Sequence, residues 1–199
     1  RIMERHWGER KSPKKAGTAN NEKHITVQDN KIYYYSGVTR ESCSELNKKL
    51  GELEGKYLGT AQSLGIEPPT IKLMINSGGG SVVSGIASMD TILRTQVPIH
   101  TYVDGFAASA ATFLSVVGNY RFMSRNSYML IHQLSTAFWG TYANFEDEKK
   151  NLDLMMKTIK NVYKQYTKVP TKKLDEILKH DLLWDAKTCK EYGLIDEII

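Results

Sequence analysis

Ile71-Lys72-Leu73-Met74-Ile75-Asn76-Ser77-Gly78-Gly79-Gly80-Ser81 reads as a strand running into a glycine run, and Val82 to Arg94 continues it as a helix with Val82, Ile86, Met89 and Leu93 on one face. The same unit recurs on either side. Upstream, Lys31-Ile32-Tyr33-Tyr34-Tyr35-Ser36-Gly37 predicts a strand ending at a glycine, and Glu41 to Leu53 predicts a helix on the spacing of Leu46, Leu50 and Leu53. Lys56 to Thr70, with Gly59, Gly65 and Pro68-Pro69, reads as a long connection. Downstream, Ile99 to Val103 predicts a strand that delivers the chain to Gly105-Phe106-Ala107-Ala108-Ser109-Ala110-Ala111, and Ser109 to Val117 predicts a short buried helix of small side chains. Strands follow at Arg121 to Met123 and Tyr128 to His132, then a long helix from Asn144 to Thr167, stopped by Pro170, and two short helices at Leu174 to Lys179 and Asp185 to Glu191. Strand and helix alternating in this way imply βαβ crossovers, an α/β class and a largely parallel sheet covered by helices. Sites in such folds assemble at the carboxyl ends of the strands, where both the glycine run and Ser109 fall.

Composition bounds the rest. A chain of 199 residues with 41% hydrophobic and 25% charged positions buries a sizeable core in one domain, and residues 1–30, polar and rich in Arg, Lys and Gly, predict an arm ahead of it. The net charge of +5 arises from 27 Lys and Arg against 22 Asp and Glu spread along the chain, so nucleic acid is not indicated as a partner. Cys43 and Cys189 are the only cysteines and have no metal-ligand spacing, which predicts neither a disulfide framework nor a metal site. The longest apolar region, Val97 to Val117, is broken by His100 and Asp104, and the amino-terminal stretch has no signal-like apolar core. The expectation is a soluble cytoplasmic protein away from the membrane.

Three residue types then bear on chemistry. Ser109 serves either as a small packing residue or as a nucleophile placed at the first turn of a helix, beside unpaired N–H groups. The run Gly78-Gly79-Gly80 admits a plain turn, a phosphate cradle, or an oxyanion hole in which glycine lets the backbone approach a substrate. It lacks the Walker lysine and does not fit G-x-G-x-x-G. His6, His24 and His100 fit polar or structural roles, whereas His132 closes an apolar strand before Gln133, so its ring emerges at a strand end, as a structural residue or as a base. Asp181, ahead of Leu182-Leu183-Trp184, is either a helix N-cap or a carboxylate that orients an imidazole.

Four motifs in order, Ile75-Asn76-Ser77-Gly78-Gly79-Gly80, Gly105 to Ala110, Met129-Leu130-Ile131-His132-Gln133 and Tyr192-Gly193-Leu194-Ile195-Asp196, closely resemble the ClpP-type serine peptidases over Lys31 to Ile199. The resemblance implies a crotonase-like fold of repeated ββα units with a protruding strand–helix handle spanning Gln133 to Thr167, preceded by an axial-loop region within residues 1–30. It implies Ser109 as nucleophile, His132 as general base and then acid, and Asp181 as the group orienting His132. The N–H groups of Gly80 and Ala110 form the implied oxyanion hole, and Gly79, Ser81, Val82, Gln133 and Leu134 the implied substrate-binding backbone, to which an extended polypeptide adds as a strand. Also implied are homo-oligomeric assembly into heptameric rings stacked as a tetradecamer and unfolded substrates delivered by an AAA+ ATPase. No cofactor or metal is implied for the peptidase itself, ATP entering only through that partner.

The chain departs from the family pattern at Gly78 and Leu134, where proline is usual, at His180, where arginine often precedes the aspartate, and in the connection from 56 to 70, which reads as an insertion. Other readings are a crotonase-like acyl-CoA enzyme, a non-catalytic ring subunit, and a processing protease for one structural protein. Retention of Ser109, His132 and Asp181 together favours the endopeptidase.

Overall fold

The computed structural model describes residues 25–199; His6, His24 and most of the expected amino-terminal arm lie outside them. The first two strands, β1 (Ile25–Gln28) and β2 (Lys31–Tyr34), form an antiparallel hairpin whose turn holds Asp29 at φ 54. β1 lies in the stretch read from sequence as part of the arm. Helix α1 (Arg40–Leu64) opens on a capping box between Thr39 and Ser42 and closes on Gly65 in the left-handed conformation. It runs 25 residues, so the expected connection from Lys56 is largely helix. Leu46, Leu50, Leu53, Tyr57 and Ala61 continue one buried stripe, while Gly51, Gly55 and Gly59 fall on the exposed side, where a Cβ would meet open space. Only residues 65–70, with both prolines, remain as a connection before β3.

After α1 come β3 (Ile71–Ser77), α2 (Val82–Arg94), β4 (Ile99–Ala108), α3 (Ala111–Val116), β5 (Tyr120–Met123) and β6 (Tyr128–Leu130). The chain then makes α4 (Tyr142–Tyr166), α5 (Thr171–Leu178), β7 (Trp184–Asp185), α6 (Ala186–Glu191) and β8 (Glu197–Ile198). Strands β2, β3, β4, β5 and β8 pair in parallel in that order, β6 pairs in parallel with β4, and β7 adds antiparallel to β6. Ile71, Leu73 and Ile75 of β3 and Ile99, Thr101 and Val103 of β4 are sealed in the core. The intervening Lys72, Met74, His100 and Tyr102 are only half-buried. A sheet covered on both faces would show continuous burial; the alternation means that one face carries the helices and the other retains a partly open aromatic surface, with Tyr102 and Phe122 stacked at 4.6 Å. Among the described residues no helix is long and apolar enough to cross a membrane.

One irregularity decides where the site forms. Ile75 pairs with Val103 but Ser77 pairs with Ala107, so β4 carries two more residues than β3 across the step. Gly105 occupies it at φ 93, its N–H donating to Ser127 Oγ at 2.7 Å. Before the step β4 pairs with β5, and after it with β6. The second half of β4 therefore runs beside β6, and the two strands end together.

Candidate active site

Parallel pairing in the register Ala108 with Leu130 brings the residues that follow each strand side by side, and Ser109 N–H donates to Leu130 O at 2.8 Å. Sequence places Ser109 in the first turn of the helix, but α3 begins at Ala111 and Ser109 precedes it. It stands on a sharp corner between β4 and α3 with φ 54, a left-handed conformation that costs a serine about 1–3 kcal/mol and persists only where the surroundings hold it. The corner points the hydroxyl out of the strand towards the end of β6. His132 Nε2 lies 2.8 Å from Ser109 Oγ, and His132 Nδ1 lies 2.7 Å from Asp181 Oδ1.

Asp181 arrives from a third element. Leu174 and Leu178 anchor α5 in the core, and Gln133 N–H donates to Leu178 O at 2.6 Å, tying the segment after the histidine to the end of that helix. Three residues further on, the Asp181 carboxylate meets the imidazole. The N-cap of α6 is Asp185, whose side chain accepts from Thr188 N–H, so the capping alternative for Asp181 falls away. Asp181 is 77% exposed at its side chain.

The glycine run packs against the serine. Gly79, at φ 87, sits so close that a Cβ on it would stand 2.7 Å from Ser109 Cβ and 2.5 Å from Ala108 O; Gly80, at φ 146, would drive a Cβ to 2.3 Å from Val38 O. Val38 N–H donates to Gly79 O and Ser81 N–H to Val38 O, which pins the loop along one edge. Among the described residues neither Gly80 N–H nor Ala110 N–H donates to a protein acceptor, so both amides can take an acceptor from outside the chain.

A narrow cleft of about 40 Å³ lies beside the hydroxyl, lined by Gly80, Val82, His132, Gln133 and Leu134 and, beyond the residues singled out from sequence, by Phe113, Ser135, Ile159 and Tyr163. Ile159 and Tyr163 are four apart on α4 and were legible only as core positions of that helix. Gly79 and Ser81 are not among the lining residues: Gly79 backs Ser109, and Ser81 caps α2 by accepting from Ser84 N–H at 3.2 Å. Leu134 N–H, free because the position is not proline, donates to Met156 Sδ at 3.2 Å. Residues 131–141 form no strand within the chain, so of the expected strand–helix handle only the helix, α4, is built. Its first half is exposed; Ile159, Val162 and Tyr163 seat the second half.

A serine, an imidazole and a carboxylate in this sequence of contacts can pass one proton. With Nδ1–H held by Asp181, Nε2 is free to accept the Ser109 hydroxyl proton as the oxygen attacks a carbonyl carbon. Among the described residues no group of three or more His, Cys, Asp or Glu is arranged to hold a metal ion.

A serine, an imidazole and a carboxylate in contact at the strand ends of a parallel α/β sheet is the arrangement that serine hydrolases use. A sequence model described as Clp protease matches residues 19–199, and the chain belongs to the Clp protease family. It is 34% identical over 131 residues to ATP-dependent Clp protease proteolytic subunit 1 of Streptomyces avermitilis, covering 65% of this chain and 60% of that protein. It is 32% identical over 168 residues to the ATP-dependent Clp protease proteolytic subunit of Epifagus virginiana, covering 81% of this chain and 86% of the relative. The chain thus spans about 60% of the length of the Streptomyces relative. A ClpP1 mutant from Listeria monocytogenes superposes with a TM-score of 0.71 at 23% identity, over 83% of this chain and 88% of the other, a likeness of fold.

Proposed function

We propose that the chain is a serine endopeptidase that hydrolyses peptide bonds of unfolded polypeptides. The observation that carries this is the continuous contact from Ser109 Oγ through His132 to Asp181 at 2.8 and 2.7 Å. Ser109 Oγ attacks the scissile carbonyl carbon while His132 Nε2 takes its proton. The carbonyl oxygen becomes an oxyanion held by Gly80 N–H and Ala110 N–H. The imidazolium, steadied by Asp181, returns the proton to the leaving amine and the C–N bond breaks. Water then adds to the acyl-serine, giving its proton to His132, and the carboxylic acid departs as Ser109 regains its hydrogen.

Substrate enters in extended form between the Gly80–Val82 segment and the Gln133–Leu134 segment, adding its backbone to both. Family membership supports assembly into homo-oligomeric rings of seven, stacked in pairs, supplied by an AAA+ ATPase in the cytoplasm, with no cofactor bound to the peptidase itself. Exposed Phe138, Trp139, Tyr142 and Phe145, with Trp139 99% exposed, support burial of the handle against another copy of the chain.

A fluorophosphonate that reacts with activated serines tests the chemistry. Labelling at Ser109, lost in Ser109→Ala and reduced at least tenfold in His132→Ala, together with hydrolysis of a short fluorogenic peptide by a species of ring-sized native mass, is the expected result. A protein that neither reacts nor hydrolyses as the ring overturns the proposal.

A further inference from the structure

We propose that Tyr163 of α4 and Thr112 of α3 are positioning residues that aim the Ala110 N–H at the oxyanion, an inference resting on the assignment of Ser109 as nucleophile. Thr112 Oγ1 donates to the Ser109 carbonyl oxygen at 2.6 Å, and Thr112 N–H donates to that same oxygen at 3.0 Å. Tyr163 Oη lies 2.7 Å from Thr112 Oγ1. A threonine hydroxyl has one hydrogen. Because it is committed to Ser109 O, the contact with Tyr163 has a fixed sense: the phenol donates to Thr112, and Thr112 donates to Ser109. Burial pushes the Tyr163 hydroxyl well above its usual range, which favours its protonated, donating form.

The Ser109 carbonyl belongs to the same planar peptide as the Ala110 N–H. Holding the oxygen of that unit on the α3 side directs its N–H the opposite way. Ser109 N–H, bonded to Leu130 O at 2.8 Å, fixes the preceding peptide. The strained corner at φ 54 is therefore clamped on both sides, and the clamp on the oxyanion side ends on a helix whose first half is free of the core. Both hydroxyls are in the interior, Thr112 fully buried and Tyr163 1% exposed, where a two-link chain polarises each bond further. A tyrosine serving only as a wall of the cleft needs its ring; this one also commits its hydroxyl to the nucleophile's own backbone. Through that link the seating of α4 sets the direction of a transition-state donor.

Tyr163→Phe keeps the ring and deletes the phenol, Thr112→Val keeps the shape and deletes the hydroxyl, and Thr112→Ser retains the donor. The readouts are kcat and KM for a fluorogenic peptide, affinity for a peptide boronate that forms a tetrahedral adduct on the serine, and affinity for the matching carboxamide, which forms none. Removing an oxyanion donor outright costs about 100- to 1,000-fold in kcat, so loosening its aim is expected to cost about tenfold. Tyr163→Phe and Thr112→Val should each lower kcat by that factor, weaken the boronate equally, and leave KM and carboxamide affinity unchanged. Their combination should cost no more than either alone, and Thr112→Ser should restore the parent rate. Parent kcat in both variants, or a change confined to KM and carboxamide affinity, overturns the clamp. Should Tyr163→Phe fold poorly by thermal unfolding, the Val and Ser variants at 112 carry the same decision. A parent protein that is neither labelled at Ser109 nor active removes the underlying assignment, whereas an active parent with unaffected variants removes the clamp alone.

Discussion

His132 Nδ1 meets Asp181 Oδ1 at 2.7 Å even though the carboxylate is 77% exposed, so the carboxylate proposed to orient the base reaches it from the solvent side of the chain. Water competes for that carboxylate and screens it. Where the orienting aspartate is buried, its amide replacement costs about 10⁴ in kcat. Here Asp181→Asn is expected to cost less, about 100-fold, and the parent rate should fall as salt is raised; steady-state hydrolysis at several ionic strengths checks both.

Gly79 and Gly78 are neighbours with opposite tolerance. An alanine at Gly79 places its Cβ 2.7 Å from Ser109 Cβ at φ 87, whereas at Gly78 it meets open space. Gly79→Ala should lower kcat/KM by at least about 100-fold, the scale of a lost oxyanion interaction, and Gly78→Ala should leave it within about threefold, as for surface substitutions. Equal losses in parallel assays would show that the loop, rather than the contact, is what matters.

The cleft beside Ser109 holds about 40 Å³. So narrow a cleft favours short side chains over long ones. Side chains of the size of alanine, serine or valine are expected ahead of the scissile bond. Ile159→Ala, which opens the far wall, should shift the preference towards leucine and methionine by about tenfold, a methylene or two of pocket being worth about 1–3 kcal/mol. A peptide library read by mass spectrometry reports the ratio directly.

Acid should unfasten the carboxyl-terminal region. Arg121 bonds Asp196 through Nε and Nη2 at 2.9 and 2.6 Å and reaches Tyr166 O and Gly193 O through Nη1, joining β5 to the end of α4 and to the turn after α6. The guanidinium's hydrogen bonds hold the Asp196 carboxyl below its ordinary value of 3.8. A depressed carboxyl stabilises the folded state above the unfolded-state value, and that stability is lost as pH falls through the folded value. Urea titrations should show stability declining below about pH 4. Asp196→Asn should be less stable at pH 7 by about 2 kcal/mol, the scale of a charged hydrogen bond, with a flatter acid limb. An unaltered acid limb in that variant would refute the assignment.

The alternation of strand and helix, the order of β3, α2 and β4, and the three residues that meet at the site were all legible, because periodicity and short glycine punctuation report local structure directly. Resemblance supplied the pairing of Ser109, His132 and Asp181, which spacing left open among bland alternatives. What local pattern concealed had specific physical causes. Gly59, which disfavours helix by about 1 kcal/mol relative to alanine, together with Gly65 and the prolines beyond it, makes Lys56 onward read as a connection; packing of Tyr57 and Ala61 carries α1 through it to Leu64. Gly55→Ala is accordingly expected to raise the melting temperature, since its Cβ meets open space. The strands β7 and β8 span two residues each and have no periodicity to read. Ile159 and Tyr163 satisfy a helix's apolar stripe equally well whether they face core or cleft, and only the tertiary seating of α4 distinguishes these.

The two extra residues at the Gly105 step let one strand serve two neighbours in turn. The irregularity is a single place where the sheet and the proposed site come apart: deleting Gly105 within β4 would leave the pairing of β4 with β5 in place while shifting Ser109 along the strand relative to His132. The meeting of hydroxyl and imidazole is a matter of phase between adjacent strands, and a slip of one residue would undo it.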